Sequence, residues 1–93
     1  MHLADLNGTG FNRANLKDAN FRCANLQNAD LTDSNWQDIL DVKYANVKSA
    51  KPDGFRAWAI SRGAKADLDE SAWIGWVKAN VAGECTQVLA PRS

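Results

Sequence analysis

The residues that could support chemistry in this chain are few and far apart. His2 is the only histidine, so the chain alone cannot assemble a Ser/His catalytic pair or a multi-histidine metal site. The segment Gly8-Thr9-Gly10 lacks the lysine and the following helix of a phosphate-binding loop. We therefore predict that the protein is not an enzyme and has neither catalytic residues nor a cofactor.

A group of aspartates lies in the middle of the chain, and carboxylates are the ligands that calcium prefers. The group consists of Asp30, Asp33, Asp38 and Asp41. The periodic glycines and acids of calcium-binding β-rolls do not accompany it. We expect these side chains to be solvated and predict no metal site.

Two cysteines, Cys23 and Cys85, are separated by 62 positions and show no paired spacing typical of zinc or redox sites. Two interpretations stay open. The cysteines are free thiols, which we favour, or they form a bridge from the N-terminal half to the tail.

Aromatic residues are the best candidates for binding. Three of the four tryptophans, Trp58, Trp73 and Trp76, lie in residues 51–93. Short helices in that segment would be marginal without a surface to pack on. We favour a hydrophobic cap made by these residues and Phe55, and the alternative is an interface with a partner. Trp58, Trp73 and Trp76 are therefore our candidate partner-binding residues.

The element that must position these residues is a five-residue repeat over residues 4–49. In eight of nine units the residue two positions before the apolar centre is small, and in eight of nine the residue between them is Asp or Asn. One residue is inserted after the seventh unit. The centres are Leu6, Phe11, Leu16, Phe21, Leu26, Leu31, Trp36, Val42 and Val47.

A five-residue period does not give an α-helix a continuous apolar face, because each step rotates the centre by about 140°. In extended backbone, residues two apart share a face, so the small residue and the apolar centre point inward together. The Asp or Asn between them points outward, as we predict for Asn15, Asn25 and Asp30. Each unit is then a short strand followed by a corner.

These units resemble the pentapeptide-repeat family, whose motif is A(D/N)LXX. Ala14-Asn15-Leu16, Ala24-Asn25-Leu26 and Ala29-Asp30-Leu31 match the motif directly. The resemblance implies a mainly β fold, a right-handed quadrilateral β-helix of about two coils over residues 1–50, with four units in each coil. Leu6, Leu26 and Val47 would then share a face.

The inserted residue lies near Asp38-Ile39-Leu40, and we treat it as a bulge. Leu40 then takes the inward position that a small residue holds in the other units. Trp36 is larger than the usual centre, and we interpret it as filling space near the end of its column. A ligand-binding role for Trp36 is the alternative.

Residues 51–93 are predicted to form a C-terminal segment with two short helices that cap the repeat. The first begins at Asp53 and runs for about ten residues to Gly63. The second begins between Asp67 and Ser71 and extends to Val81. A competing parse treats Ala66-Asp67-Leu68 and Ser71-Ala72-Trp73 as further repeats.

The charges are balanced, with eleven basic and eleven acidic residues. Neither half resembles a basic nucleic-acid arm or an acidic tail. The N-terminus shows no apolar stretch of signal-peptide length, and no apolar run is long enough to span a membrane. We predict a cytoplasmic protein with no direct nucleic-acid contact and no membrane insertion.

We expect a non-enzymatic protein–protein interaction or scaffold module, because a rigid repeat presents regularly spaced outward side chains. Its partner is another protein or, in a homodimer, a second copy. We expect self-association because only residues 1–3 precede the repeat and are available to cover its first end. The alternative is a DNA mimic that binds a topoisomerase, like the quinolone-resistance members of the family. Lys17, Lys43 and Lys48 interrupt the acidic face that such mimicry requires.

Overall fold

The computed structural model describes residues 6–85. Within this range the regular elements are a 3₁₀ turn at Trp36–Asp38, helix α1 at Asp53–Ser61 and helix α2 at Glu70–Asn80. The described molecule measures 33 × 27 × 20 Å along its principal axes. None of its helices is both long and apolar enough to cross a membrane.

The expectation of a mainly β, right-handed quadrilateral β-helix solenoid is wrong. The described residues form two helices and no sheet, and only 10% of them lie in strands or bridges. All of the bridges are isolated parallel contacts, such as Gly10 with Asp30. The reason is the shortness of the repeat: most of each five-residue unit forms a turn, so one residue per unit remains to make a bridge.

The turn of each unit has the same backbone geometry. In eight units the N–H three residues after the centre donates to the carbonyl of the centre at 2.9 to 3.1 Å. The residue two positions after the centre is left-handed, with φ between 59° and 72°. These left-handed residues are Gly8, Arg13, Asp18, Cys23, Asn28, Asp33, Tyr44 and Ser49. Turns, and not strands, are therefore the structural unit of residues 6–51, which we call the repeat segment.

The Asp or Asn of the repeat stabilises this turn. Asn20 Oδ1 accepts a hydrogen bond from the Arg22 N–H at 3.0 Å, and Asp41 Oδ1 accepts one from the Lys43 N–H at 2.8 Å. Such bonds to the backbone two residues ahead are typical of Asx turns. The same bond forms at Asn15, Asn25, Asp30 and Asn46.

Successive turns stack with a register of four units. Bridges join residues 20 apart before the 3₁₀ turn, as in Gly10 with Asp30, and 21 apart across it, as in Asn25 with Asn46. The Leu6 N–H donates to the Asn25 carbonyl, and the Leu26 N–H donates to the Asn46 carbonyl. The predicted four-unit register and the position of the inserted residue are confirmed.

The inserted residue does not bring Leu40 inside. The turn Trp36–Asp38 places Ile39 in the core, where it is 6% exposed, whereas Leu40 is 67% exposed. The prediction that Leu40 takes the inward small-residue position is therefore wrong. The Leu40 N–H donates to the Ala19 carbonyl, so the backbone of Leu40 keeps its place in the stacked register. The side chain that points into the core is instead that of the preceding residue, Ile39.

The apolar centres form one core. Leu26, Leu31 and Val47 are fully buried, and Val42, Phe21, Leu16 and Leu6 are nearly so. Phe11 is only half-buried, although it was predicted to be buried, and its ring lies 5.5 Å from that of Phe21. Trp36 is also half-buried and packs against Phe55 and Trp58 of α1, which supports its interpretation as a space-filling residue.

Asn15 is exposed, as expected for an outward side chain, whereas Asn25 is only 1% exposed. Asp30 is half-buried. Asn25 is on the outer side of its unit, but α2 covers it: its Nδ2 donates to Glu70 Oε1 at 2.7 Å. Above it, Asn46 is also fully buried and donates to Asn25 Oδ1 at 3.4 Å.

Helix α1 begins at Asp53 as predicted and buries Phe55 and Ala59 in the same core as the repeat. Pro52 is its N-cap residue and makes no side-chain cap bond. The helix ends just before Gly63, whose φ of 103° supplies the expected left-handed stop. The chain then pairs once more with the repeat segment, through a parallel bridge between Asn46 and Lys65.

Helix α2 starts within the predicted window, after Asp69, whose carboxylate accepts a hydrogen bond from the Ala72 N–H at 2.9 Å. The competing parse of 71–73 as a repeat is wrong, because these residues are helical. Trp73 and Val77 do not join the main core. They form a second cluster with Cys23 and Cys85 on the side of the repeat segment.

The two cysteines form a disulfide, Cys23–Cys85, with a Cα–Cα distance of 5.5 Å. The favoured interpretation as free thiols is therefore wrong. Cys23 lies at the left-handed corner of its unit, where its side chain points toward α2, and both cysteines are fully buried. Spacing along the chain could not reveal the pair, because α2 brings the tail back to this corner.

Candidate partner-binding surface

Trp73 is a core residue. Its side chain is 1% exposed, and its indole N–H donates to the Tyr44 carbonyl at 2.8 Å. A partner cannot reach it while α2 is packed on the repeat segment. We therefore retain only Trp58 and Trp76 as candidate partner-binding residues.

Trp58 lies on the surface of α1 and is half-buried. Its ring is 5.7 Å from that of Trp36, and the guanidinium of Arg62 lies 4.7 Å from its centroid. The stacked cation covers part of the indole face. Two residues of its own chain, Trp36 and Arg62, therefore contact Trp58.

Trp76 lies in a different place, on α2 beside the repeat segment. Its ring centroid is 6.0 Å from that of Tyr44, and both side chains are half-buried. The ammonium of Lys65 lies 4.5 Å from the centre of the Trp76 ring, and that of Lys43 lies 5.3 Å from the centre of the Tyr44 ring. We call Tyr44, Trp76, Lys43 and Lys65 the cation–aromatic patch.

The patch is held in place from beneath. The Tyr44 carbonyl accepts the hydrogen bond from Trp73, and the Cys23–Cys85 disulfide fixes the tail on the same corner. Arg22 also lies over the Tyr44 ring, at 5.3 Å, and forms ion pairs with Asp41 at 3.3 Å and Glu84 at 3.5 Å. Contacts within the chain therefore hold the two rings in position.

Sequence reasoning missed Tyr44, Lys43 and Lys65. A signal was present: the left-handed corner residue is apolar or aromatic in only two described units, at Cys23 and Tyr44. These corners are stacked, since the Cys23 N–H donates to the Lys43 carbonyl at 3.0 Å. Apolar residues at two stacked corners mark the side of the repeat segment on which another element packs.

The aspartates of the repeat segment act in turns and ion pairs. Hydrogen bonds from Thr32, chiefly from its hydroxyl and then from its backbone N–H, lower the pKa of the Asp30 carboxyl. Asp41 accepts from Lys43 and pairs with Arg22. Among residues 6–85, no group of three or more His, Cys, Asp and Glu side chains is placed to hold a metal ion. His2 lies outside the described residues.

A shallow pocket of about 340 Å³ lies beyond the end of α1. It is lined by Ile60, Ala64, Lys65, Ala66 and Asp67. Ile60 is 51% exposed. Three of these five residues are apolar, and the other two carry one charge of each sign.

Residues 1–35 match the family of pentapeptide repeats, with 8 copies. The N-terminal part of the chain consists of pentapeptide repeats. The match ends where the 3₁₀ turn Trp36–Asp38 interrupts the five-residue units. The pentapeptide-type turn returns at Val42 and Val47, whose units have the same hydrogen bond and the same left-handed corner. The chain has no significant match among curated proteins or among solved structures.

Proposed function

We propose that this pentapeptide-repeat protein is a non-enzymatic protein–protein interaction module, and that α2 and the adjoining corner of the repeat segment form its binding surface. The observation that carries the proposal is the cation–aromatic patch. Tyr44 and Trp76 are half-buried although they belong to the second apolar cluster, so part of each ring faces solvent. Tyrosine and tryptophan are enriched in protein interfaces and among the residues that contribute most to binding.

Site-specific photo-crosslinking tests the proposal. A photoreactive benzoylphenylalanine replaces Trp76 in the native host, and a matched variant carries it at Lys78, which is exposed on α2 about 200° around the helix. We expect a discrete crosslinked protein from position 76 and none from position 78. Equal labelling at the two positions, or no adduct at either, would reject the proposed surface.

The DNA-mimic alternative gains no support from the molecule. The whole chain has a formal charge of zero, whereas a mimic of duplex DNA needs a continuous acidic face. The described part of the molecule is 33 Å long. We therefore do not propose topoisomerase binding.

A cytoplasmic location stays a prediction, and the disulfide bears on it. Disulfides persist mainly in oxidising compartments, whereas the cytosol keeps most thiols reduced. Alkylation of cell extracts under acid quench, followed by mass spectrometry, measures whether Cys23 and Cys85 are bridged where the protein resides. A reduced pair would favour the cytoplasm, and a bridged pair would favour an oxidising compartment.

A further inference from the structure

The charges of the cation–aromatic patch point to the chemistry of its partner. Among the described residues, neither Lys43 nor Lys65 has a carboxylate within 4.0 Å, in contrast to Arg22, which pairs with Asp41 and Glu84. Both ammonium groups instead lie over ring faces. The patch therefore presents two positive charges that form no ion pair within residues 6–85.

The rings of Tyr44 and Trp76 determine where these two ammonium groups lie. Cation–π contacts hold each ammonium close to an aromatic face, which reduces the freedom that a lysine side chain otherwise has in solution. The rings themselves are held by the Trp73 hydrogen bond and by the packing of α2. A partner that binds here does not have to order the surface first, and this lowers the free-energy cost of association.

We propose that the cation–aromatic patch binds an acidic peptide segment of a partner protein, with carboxylates on Lys43 and Lys65 and an apolar side chain against Tyr44 and Trp76. This inference rests on the proposed function and specifies its partner. Nucleic acid fits less well, because two charges on a chain of zero net charge release too few counterions for phosphate-driven binding. A short acidic segment needs only two charge contacts and one apolar contact.

The test uses the full-length oxidised protein and a fluorescein-labelled peptide of glutamates around a single leucine. A control peptide has glutamine in place of glutamate. We expect the acidic peptide to bind at least about tenfold more tightly than the control, with affinity falling as salt rises. Equal affinity for the two peptides would overturn the proposal.

Substitutions of the patch lysines test whether the acidic peptide binds at the cation–aromatic patch. We expect the double variant Lys43→Gln/Lys65→Gln to weaken binding of the acidic peptide about tenfold. Lys17→Gln/Lys78→Gln, which removes the same number of charges from exposed positions outside the patch, should leave it unchanged. Equal loss in both variants would show that only overall charge matters and would overturn the assignment of the site. A single-stranded oligothymidine that competes as well as the acidic peptide would assign the patch to nucleic acid instead.

A measurement on the unmodified protein removes any dependence on variant folding. In a ¹H–¹⁵N titration with the acidic peptide, the indole N–H signal of Trp76 should shift and that of Trp58 should not. Shifts confined to Trp58 would contradict the proposal. If the crosslink from position 76 forms but the acidic peptide fails to bind, the protein is an interaction module whose partner is not acidic; the proposed function then survives and this inference does not.

Discussion

The Asp or Asn of each repeat unit does more than point outward. In six units its side chain accepts the backbone N–H two residues ahead and so favours the turn, in which the residue three positions after the Asp or Asn is left-handed. The sequence pattern predicts the inward and outward alternation correctly for most centres. It does not reveal why the outward residue is Asp or Asn, because a solvated position would accept any polar side chain.

The first prediction contrasts two leucines that the repeat pattern assigned to the same inward surface. Leu26 is fully buried and Leu40 is 67% exposed. Leu26→Ala should lower the free energy of unfolding by about 2 to 5 kcal/mol through lost burial and a cavity. Leu40→Ala should change it by less than about 0.5 kcal/mol. Chemical denaturation of both variants checks this, and comparable losses would contradict the inward position of Ile39.

The second prediction concerns Asn25, which lies in a buried polar network. Asn25→Ala removes the bond to the Gln27 N–H, the bond to Glu70 and an acceptor of the buried Asn46. Leaving buried polar groups unpaired costs about 1 to 3 kcal/mol. Asn20→Ala is the matched control, since exposed Asn20 makes the same turn bond to Arg22.

We therefore expect Asn25→Ala to be more destabilising than Asn20→Ala in equilibrium unfolding. Equal losses would mean that the turn bond accounts for the whole effect and that the contact with α2 contributes nothing. Glu70→Gln provides a further check, because it keeps an acceptor for Asn25 while it removes the charge, so its cost should be smaller than that of Asn25→Ala.

At the scale of the elements, the local sequence predicts that the two helices form, but it does not predict which surface each helix packs against. Helix α1 begins at Asp53 as predicted, and α2 begins at Glu70, inside the predicted window from Asp67 to Ser71. Their packing partners depend on contacts distant in sequence. Helix α1 covers the main core, as the cap hypothesis requires for Phe55, whereas α2 lies on the side of the repeat segment, against the corner that holds Cys23 and Tyr44.

The third prediction tests the bond that fixes α2 and the tail to this corner. The Cys23–Cys85 disulfide closes a loop with a sequence separation of 62 residues. Loop-closure entropy for a loop of that size predicts a loss of about 4 kcal/mol when the bond is absent. Guanidinium unfolding with and without a phosphine reductant should show this loss, and Cys23→Ala/Cys85→Ala should show it without reductant.

The control for this experiment is the double variant itself, which should not respond to the reductant. Free thiols must be counted in the native protein, because both sulfurs are fully buried and resist reduction until the chain opens. An unchanged midpoint in samples with two free thiols would show that packing of Trp73 and Val77 alone holds α2 in place.

At the scale of the molecule, the outer edge of the first repeat layer has backbone N–H groups that make no hydrogen bond among the described residues. The N–H groups of Asp30, Leu40 and Asn46 each donate to a carbonyl of the preceding layer. Within residues 6–85, the N–H groups of Gly10, Asn15 and Asn20 in the first layer have no hydrogen-bond partner. Phe11, in the same layer, is only half-buried, whereas Leu31 one layer above it is fully buried. Unpaired edges of this kind favour pairing with another chain.

The last prediction is self-association through this edge, in a two-fold contact that pairs Gly10, Asn15 and Asn20 with the same edge of a second copy. Sedimentation equilibrium should show a concentration-dependent dimer, and the melting temperature should rise with concentration.

The substitution Gly10→Lys tests the contact, because it places two ammonium groups near each other across the two-fold axis. The φ of Gly10 lies outside the left-handed region, so a lysine side chain is tolerated there. We expect it to weaken the dimer at least about tenfold. Gly75→Lys, on open α2 surface, is the control and should leave the dimer intact. A strictly monomeric protein with a concentration-independent melting temperature, or equal weakening by both substitutions, would refute association through this edge.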